Sequence, residues 1–304
     1  MSFDMVRTSI IILTYNKLEY TKACIQSIRT FTTPKSYEII VVDNNSTDGT
    51  REWLAEQNDI LTIFNEENVG FPRGCNQGIE VANGDAILLL NNDVLVTENW
   101  LTLLTERLFS SDEIGAVGPL SNSAYGIQEI TLPYTNIEEL NAVAGHYNRV
   151  QPKDCRQSLK LIGFCMLIKR SVIDRIGVLD ERFSPGMCED TDYCFRMTEA
   201  GYKLMICTNV FVHHFGSTSF GEMPERMREL LYQNRLIFQK KWGFHPVYSG
   251  GVRGELISLM NERDAGGNIH VLDVGCACGG TLLEIKNQFK KAELYGIERN
   301  PNSA

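Results

Sequence analysis

The first third of the chain alternates apolar runs with polar clusters. Thr8–Thr14 (Thr-Ser-Ile-Ile-Ile-Leu-Thr), Glu38–Val42, Ile60–Phe64 and Ala86–Leu90 are short, aliphatic and rich in β-branched residues. Runs of this length without polar alternation predict strands buried on both faces of a sheet. Helical periodicity fills the gaps. Leu18–Thr30 places Leu18, Cys24, Ile25 and Ile28 on one face. A second helix runs through Trp53 and Leu54, with Ser46 or Asp48 available to cap it, and a third spans Cys75–Val81. Three strand–helix units leading to a fourth strand predict a doubly wound, parallel α/β sheet. In such sheets ligands bind just beyond the carboxyl ends of the strands. The run Gly84–Val96, whose strand stops abruptly at Asn91-Asn92-Asp93, is therefore the stretch the chain is organised around.

Further on, a helix is predicted at Trp100–Phe109 and a short strand at Ala116–Val117. Pro119–Lys160 carries Tyr125, Tyr134 and Tyr147 but little periodicity, and reads as an irregular lid or binding loop. A strand at Leu161–Ile168 and a helix at Ser171–Ile176 follow. The polar stretch Leu179–Asp192 leads into a helix at Tyr193–Ala200. A strand pair, Lys203–Cys207 and Val210–Val212, delivers His213 and His214, and Pro224–Lys241 reads as a long closing helix. Val247–Gly267 is glycine-rich and charged, and Ile269–Leu282 and Leu294–Glu298 then form a last strand, glycine turn, helix start and strand.

Composition narrows the function classes. With 304 residues, two domains are expected: residues 1–243, and residues 244–304 comprising a linker and a short βαβ segment. A net charge of −9 argues against nucleic acid as a main partner. No apolar run reaches the roughly 20 residues of a membrane span, and the N-terminus lacks the apolar core of a signal peptide. Nine cysteines without a CxxC pair fit reduced, buried thiols in the cytoplasm, with peripheral association at the inner membrane face left open. The Gly-x-Gly-x-x-Gly fingerprint is absent after the first strand, which disfavours an ordinary NAD site.

Several residue patterns carry candidate chemistry. Asn91-x-Asp93 offers two hard oxygen donors to a divalent cation that can hold a diphosphate. The plain alternative is an Asn-rich turn. Asp43, at a strand end, is placed to accept a hydrogen bond from a base N–H or a ribose hydroxyl, or else to cap its own turn. Glu189-Asp190-x-Asp192 groups carboxylates that raise one another's pKa towards the range of a general base. Asp192 lies four residues before Arg196, so an ion pair is its structural alternative. His213 and His214 are adjacent on a strand, so one of them faces any site there, as a metal ligand or a phosphate contact.

These pieces stand in an order that resembles the inverting glycosyltransferases of family two, with the GT-A fold. The resemblance rests on Ile-Ile-Leu-Thr-Tyr-Asn (11–16), Val-Val-Asp-Asn-Asn-Ser-Thr-Asp-Gly-Thr (41–50) and Asn-Val-Gly-Phe-Pro-Arg-Gly-Cys-Asn-Gln-Gly-Ile (68–79). Leu-Asn-Asn-Asp (90–93), Leu-Asp-Glu-Arg-Phe (179–183), Glu-Asp-Thr-Asp (189–192) and the His-containing strand end complete it. It covers residues of about 6 to 242 and implies a mostly parallel central sheet flanked by helices. It also implies transfer from a UDP- or dTDP-linked sugar to a hydroxyl of a glycan, lipid-linked sugar or protein. On this resemblance Asp190 is the base, with Glu189 and Asp192 beside it. Thr14, Asn16, Asp43, Arg73, Asn91 and Asn92 contact the donor. Asp93, with Asn91 and His213 or His214, holds Mn²⁺ or Mg²⁺. The family motif is usually Asp-x-Asp, and Asn91 stands at its first position here, which leaves Asp93 as the main anionic ligand.

The tail resembles the first βαβ of an S-adenosylmethionine-dependent methyltransferase: Asp273, Gly275 and Gly279 at the methionine end, Glu298 at the ribose, and Ala277 in place of one usual glycine. S-adenosylmethionine is implied only if the rest of such a domain is present. Two other functions compete with sugar transfer. A sugar nucleotidylyltransferase would want a basic, Gly-rich first loop, which Tyr15-Asn16-Lys17-Leu18 is not. A non-catalytic nucleotide-sugar-binding subunit of a glycan assembly complex would bind donor without turnover.

Overall fold

The computed structural model describes residues 7–124, 126–150, 155–216, 224–260 and 268–303. Tyr125 and residues 261–267 of the expected linker lie outside the described residues. The predicted early strands are present as β1 (Thr8–Thr14), β2 (Tyr37–Asp43), β3 (Ile60–Phe64) and β4 (Ala86–Asn91). Between them stand α1 (Leu18–Phe31), α2 (Thr50–Ala55) and α3 (Phe71–Val81). There follow β5 (Val94–Leu95), α4 (Trp100–Leu108), β6 (Ile114–Ser121), α5 (Ile137–Val150), β7 (Cys155–Ser158), β8 (Cys165–Lys169) and α6 (Arg170–Ile176). α7 (Glu189–Glu199), β9 (Lys203–His214) and α8 (Pro224–Trp242) close this part of the chain.

The strands form one sheet in the order β3-β2-β1-β4-β8-β6-β9-β5, with β7 paired to β9. β1 to β4 are mutually parallel, as are β6 and β9, while β8 runs antiparallel between β4 and β6. The sheet is thus mixed rather than purely parallel. The middle strand β8 enters from the edge where its neighbours end, because the chain reaches it through the long connection after β6. Odd and even positions divide the core into two layers. Ile10, Ile12, Val41, Leu88 and Leu90 face α1 and α4, whereas Ile11, Ile40, Ile87 and Leu89 face α3, α6 and α7. Burial on both faces is why these strands carry unbroken aliphatic runs.

Three local readings are corrected. Pro119–Lys160 is not irregular throughout: it holds α5 and the edge strand β7. α7 begins at Glu189 rather than Tyr193, so Glu189, Asp190 and Asp192 occupy its first turn. Lys203–His214 is one strand and not a pair. Its register against β6 jumps between Pro119↔Cys207 and Leu120↔Phe211. A bulge there keeps the backbone paired while re-aiming the side chains beyond it, the two histidines among them.

The C-terminal segment has α9 (Gly254–Ile257), then β10 (His270–Val274), α10 (Gly280–Gln288) and β11 (Glu293–Ile297), the last three being the expected βαβ unit with its strands parallel. Asn287 of α10 donates to the Gln157 carbonyl at 2.8 Å and accepts from the Gln157 N–H at 3.1 Å. One amide side chain therefore pairs with the backbone of edge strand β7 as a further strand would. Glu298 accepts hydrogen bonds from the Ala277 and Asn300 N–H groups at 2.9 and 2.8 Å. Among the described residues, no helix is long and apolar enough to cross a membrane.

Candidate active site

Strand direction assembles the site. β1, β2, β4 and β9 point the same way and end at Thr14, Asp43, Asn91 and His214. In register, Thr14 pairs with Asp43 and Leu13 with Asn91. β8 runs the opposite way, so its start rather than its end reaches this edge.

At one end lies Asp43, fully buried. Its Oδ2 accepts from the Ser46 N–H at 3.1 Å and faces the Arg51 guanidinium at 3.3 Å. Arg51 is itself fixed, donating to the Asn65 carbonyl at 2.6 Å with its guanidinium 5.0 Å from the Phe64 ring centroid. Asp43 Oδ1 is buried with no hydrogen-bond partner. A buried acceptor without a donor costs about 1–3 kcal/mol, which a ligand N–H or O–H would relieve. Asn16 braces the pocket: its N–H donates to Ser46 Oγ and its Oδ1 accepts from the Thr47 N–H, both at 2.7 Å.

Two of the expected donor contacts are engaged inside the protein. Thr14 is buried with Oγ1 2.9 Å from Thr21 Oγ1, and the Asn92 amide donates to both hydroxyls at 3.3 and 3.1 Å. Thr14 and Asn92 thus fasten β1, α1 and the β4 turn together through the Thr14 hydroxyl and the Asn92 amide nitrogen. Arg73 is exposed on the first turn of α3, without a hydrogen-bond or ionic partner among the described residues. The loop before it is set by Gly70, whose φ is +85°. A Cβ on Gly70 would lie 2.7 Å from Pro185 Cα, so only glycine lets the α3 entry touch the loop that precedes α7.

The second cluster is Asn91, Asp93 and His214. β5 pairs antiparallel with the end of β9, setting Val94 opposite His214. His214 Nε2 lies 3.2 Å from Asp93 Oδ1 and 3.5 Å from the Asn91 amide nitrogen. Its Nδ1 sits 2.7 Å from the Ser123 carbonyl oxygen, which only an Nδ1–H satisfies. Nε2 in the neutral ring therefore presents a lone pair to a carboxylate. A proton or a divalent cation between the two atoms resolves that contact. Burial disfavours the charged imidazole, but the Asp93 hydrogen bond and charge and the Ser123 carbonyl outweigh it, so its pKa is raised. A metal-binding histidine with its other ring nitrogen held by a carbonyl is a familiar arrangement. No group of three or more His, Cys, Asp and Glu side chains suited to a metal occurs among the described residues. A cation here would draw its remaining ligands from Asn91, phosphate or water. His213 is corrected out of this set. It points the other way, with Nδ1 2.7 Å from the Tyr134 hydroxyl, and burial lowers its pKa.

The third cluster is the first turn of α7. Asp190 Oδ1 accepts from the Thr191 N–H at 2.6 Å, and Oδ2 accepts from the Gly163 N–H at 3.3 Å. Glu189 is buried, its Oε2 has no partner, and burial with the Asp190 charge pushes its pKa up to about 8. Asp192 is corrected from a catalytic candidate to a structural one. It is fully buried, ion-paired to Arg196 at 3.1 Å and Lys241 at 2.7 Å, and accepts from Trp242 Nε1 at 2.8 Å. It ties α7 to the end of α8. Removing one partner of a buried pair typically costs about 3–5 kcal/mol. Asp192→Ala is accordingly expected to lower the thermal midpoint sharply, read by calorimetry, without changing the turnover of the protein that stays folded.

Two consecutive residues join the last two clusters. Gly163 N–H holds Asp190, while the Phe164 carbonyl accepts from the Asn91 N–H at 2.9 Å. The Phe164 ring stacks on the His214 imidazole, centroids 5.1 Å apart and planes 16° from parallel. Asp93 and Asp190 are nearly a hundred residues apart in sequence, yet Asp190 touches this dipeptide directly and Asp93 reaches it through His214.

A mixed sheet with a buried strand-end aspartate, a histidine–carboxylate pair and helix-borne acids along one edge is of the GT-A type. The profile of Glycosyl transferase family 2 matches residues 9–177, and the chain belongs to that family. Glycosyltransferase AglE of Haloferax volcanii is 28% identical over 237 residues, covering 74% of this chain and 72% of AglE. An N-acetylglucosaminyl-diphospho-decaprenol L-rhamnosyltransferase of Mycobacterium tuberculosis is 25% identical over 234 residues, 68% of this chain and 75% of that protein. The chain spans only 28% of the uncharacterized protein y4gI of Sinorhizobium fredii, to which it is 26% identical over 263 residues. Among solved structures it resembles the mannosyltransferase PcManGT of Pyrobaculum calidifontis, in complex with GDP-Man and Mn²⁺. The TM-score is 0.55 at 19% identity, over 75% of this chain and 61% of that one. GalNAc-T7 with UDP, GalNAc and Mn²⁺ gives a TM-score of 0.57 at 17% identity, over 70% and 44%.

Sequence reasoning passed over Arg51, Lys160, Gly163 and Phe164. Gly163-Phe164 precedes an apolar run and gave only a strand signal.

Proposed function

We propose that this chain is a metal-dependent, inverting glycosyltransferase that moves a sugar from a UDP- or dTDP-linked donor to a hydroxyl acceptor. The observation that carries the reading is the Gly163-Phe164 bridge, which brings the Asp93–His214 pair and Asp190 to one stretch of the sheet edge. Asp43 supports it as the acceptor for a base N–H, since its Oδ1 is buried and unpaired. Asp93, His214 and Asn91 would hold the cation, which when bound neutralises charge on the leaving diphosphate. Asp190 takes the proton of the acceptor hydroxyl as its oxygen bonds to the anomeric carbon. The bond from that carbon to the diphosphate oxygen breaks, and its electron pair leaves with the nucleotide. Residues 1–243 carry this reaction, and residues 244–304 supply none of its groups. The acceptor is a glycan, a lipid-linked sugar or a protein, and the decaprenol-linked substrate in the name of the mycobacterial relative favours the second.

The test is a donor screen that follows slow nucleotide-sugar hydrolysis with Mn²⁺, with EDTA as control. Hydrolysis of one donor, lost on chelation, is expected; indifference to EDTA with every donor would remove the metal from the reading. Because a proton and the cation compete for His214 Nε2, Mn²⁺ affinity should fall as pH drops below the raised histidine pKa, by up to about tenfold per unit. Titration calorimetry at several pH values reads that slope.

A further inference from the structure

Two carboxyl groups in unlike surroundings sit side by side in the first turn of α7. Asp190 is ringed by donors: the Thr191 N–H at 2.6 Å and hydroxyl at 3.1 Å on Oδ1, and the Gly163 N–H at 3.3 Å on Oδ2. The Lys160 ammonium stands 3.8 Å from Oδ1. Such a ring of donors and a cation favours negative charge on this carboxyl group. Glu189 beside it is buried, and its Oε2 meets no donor at all. Two close carboxyl groups share a proton, and a neighbouring cation decides which of them holds the charge.

Lys160 comes from the connection between β7 and β8, where the Ser158 hydroxyl donates to the Lys160 carbonyl at 2.7 Å and fixes the backbone. The other titratable or charged groups facing the pair do not compete with it. Cys75 of α3, Cys188 just before α7 and Cys194 of α7 are thiols whose pKa values burial pushes up, the last two to about 11 and about 12. Arg235 of α8 acts on Cys188. The charge of Asp192 is taken by Arg196 and Lys241.

We propose that Lys160 is a positioning residue of the transfer reaction: its ammonium fixes the negative charge of the Glu189–Asp190 pair on Asp190 and leaves Glu189 neutral beside it. This rests on the reading of Asp190 as the base. It gives the side-by-side arrangement a purpose, since the base stays ionised only while its neighbour keeps a proton.

The test combines a titration of the free protein with kinetics. Carboxyl carbon NMR, with resonances assigned through Glu189→Gln and Asp190→Asn, should show Glu189 ionising only near pH 8 in the unsubstituted protein. In Lys160→Met the acid limb of kcat/KM should move up by about one unit, lowering the rate near pH 6 by about tenfold while donor KM changes less than about twofold, and Lys160→Arg should restore it. Glu189→Gln, which mimics the neutral acid, should impair transfer far less than Asp190→Asn. An unmoved acid limb in Lys160→Met overturns the proposal. So does a Glu189→Gln enzyme as impaired as Asp190→Asn, and that variant decides alone if Lys160→Met does not fold. If the titrations behave as stated but no donor sugar is transferred, the proposed function fails while the charge placement stands.

Discussion

Asp190→Asn should lower sugar transfer by a factor of about 10²–10⁴, the usual worth of a positioned general base, with donor affinity unchanged. The amide is isosteric and keeps an oxygen for the Thr191 N–H, giving up only the longer bond from the Gly163 N–H, so the fold of the α7 turn should survive. What is lost is the lone pair that accepts the acceptor proton. Because the proposed donor contacts are Asp43 and Asp93, nucleotide binding measured by calorimetry should be indifferent. Retained transfer would move the base to another carboxylate. Asp192 is an unsuitable substitute, buried as it is under Arg196, Lys241 and Trp242.

Asp93→Ala should act at the other half of the reaction. It removes the anionic partner of His214 and leaves Asn91 and the imidazole as the remaining proposed ligands. Loss of charge stabilisation on a departing oxyanion costs about 10²–10³ in rate. The substitution should also abolish the dependence on Mn²⁺, so that EDTA no longer changes the residual rate. A variant that keeps full, chelator-sensitive hydrolysis would show that the cation sits elsewhere. The two substitutions separate cleanly: one spares donor binding and stops transfer, the other weakens the metal-bound donor itself.

Much of the frame was legible because burial on two faces leaves a plain trace. β1 begins and ends where its aliphatic run does, and β2 and β4 differ from expectation by a residue at one or both ends. β3 also keeps its expected bounds, but as an edge strand with Leu61 and Phe64 exposed rather than buried on both faces. α5 left no such trace. Its buried positions are Leu140, Ala144, Gly145 and Asn148, two of them small and one polar, although Leu140, Ala144 and Asn148 recur at helical spacing. Asn148 is interior because its amide donates to Thr97 Oγ1 and the Glu98 carbonyl, a reason visible only in three dimensions. β7 was missed since an edge strand reading Cys-Arg-Gln-Ser has little apolar content.

The site was legible as a set of oxygen-bearing strand ends and less so in its division of labour. Sequence spacing put Asp43, Asp93 and Asp190 at loops or helix starts, but could not tell Asn92 and Thr14, turned inward onto Thr21, from true pocket groups. It left His213 and His214 equivalent, and the strand pleat separates them: His214 meets Asp93, His213 meets Tyr134. The joining dipeptide Gly163-Phe164 was invisible because its role lies in backbone groups and a ring stack, neither of which has a residue-type signature.

The most direct measurement is a crystal structure of the protein with Mn²⁺ and a non-hydrolysable analogue of the donor found in the screen, phased on the manganese anomalous signal. The account predicts a manganese peak bonded to Asp93 and to both phosphates, with the anomeric carbon open towards the Asp190 carboxylate. A manganese peak away from Asp93, or an anomeric carbon that faces away from Asp190, would contradict it.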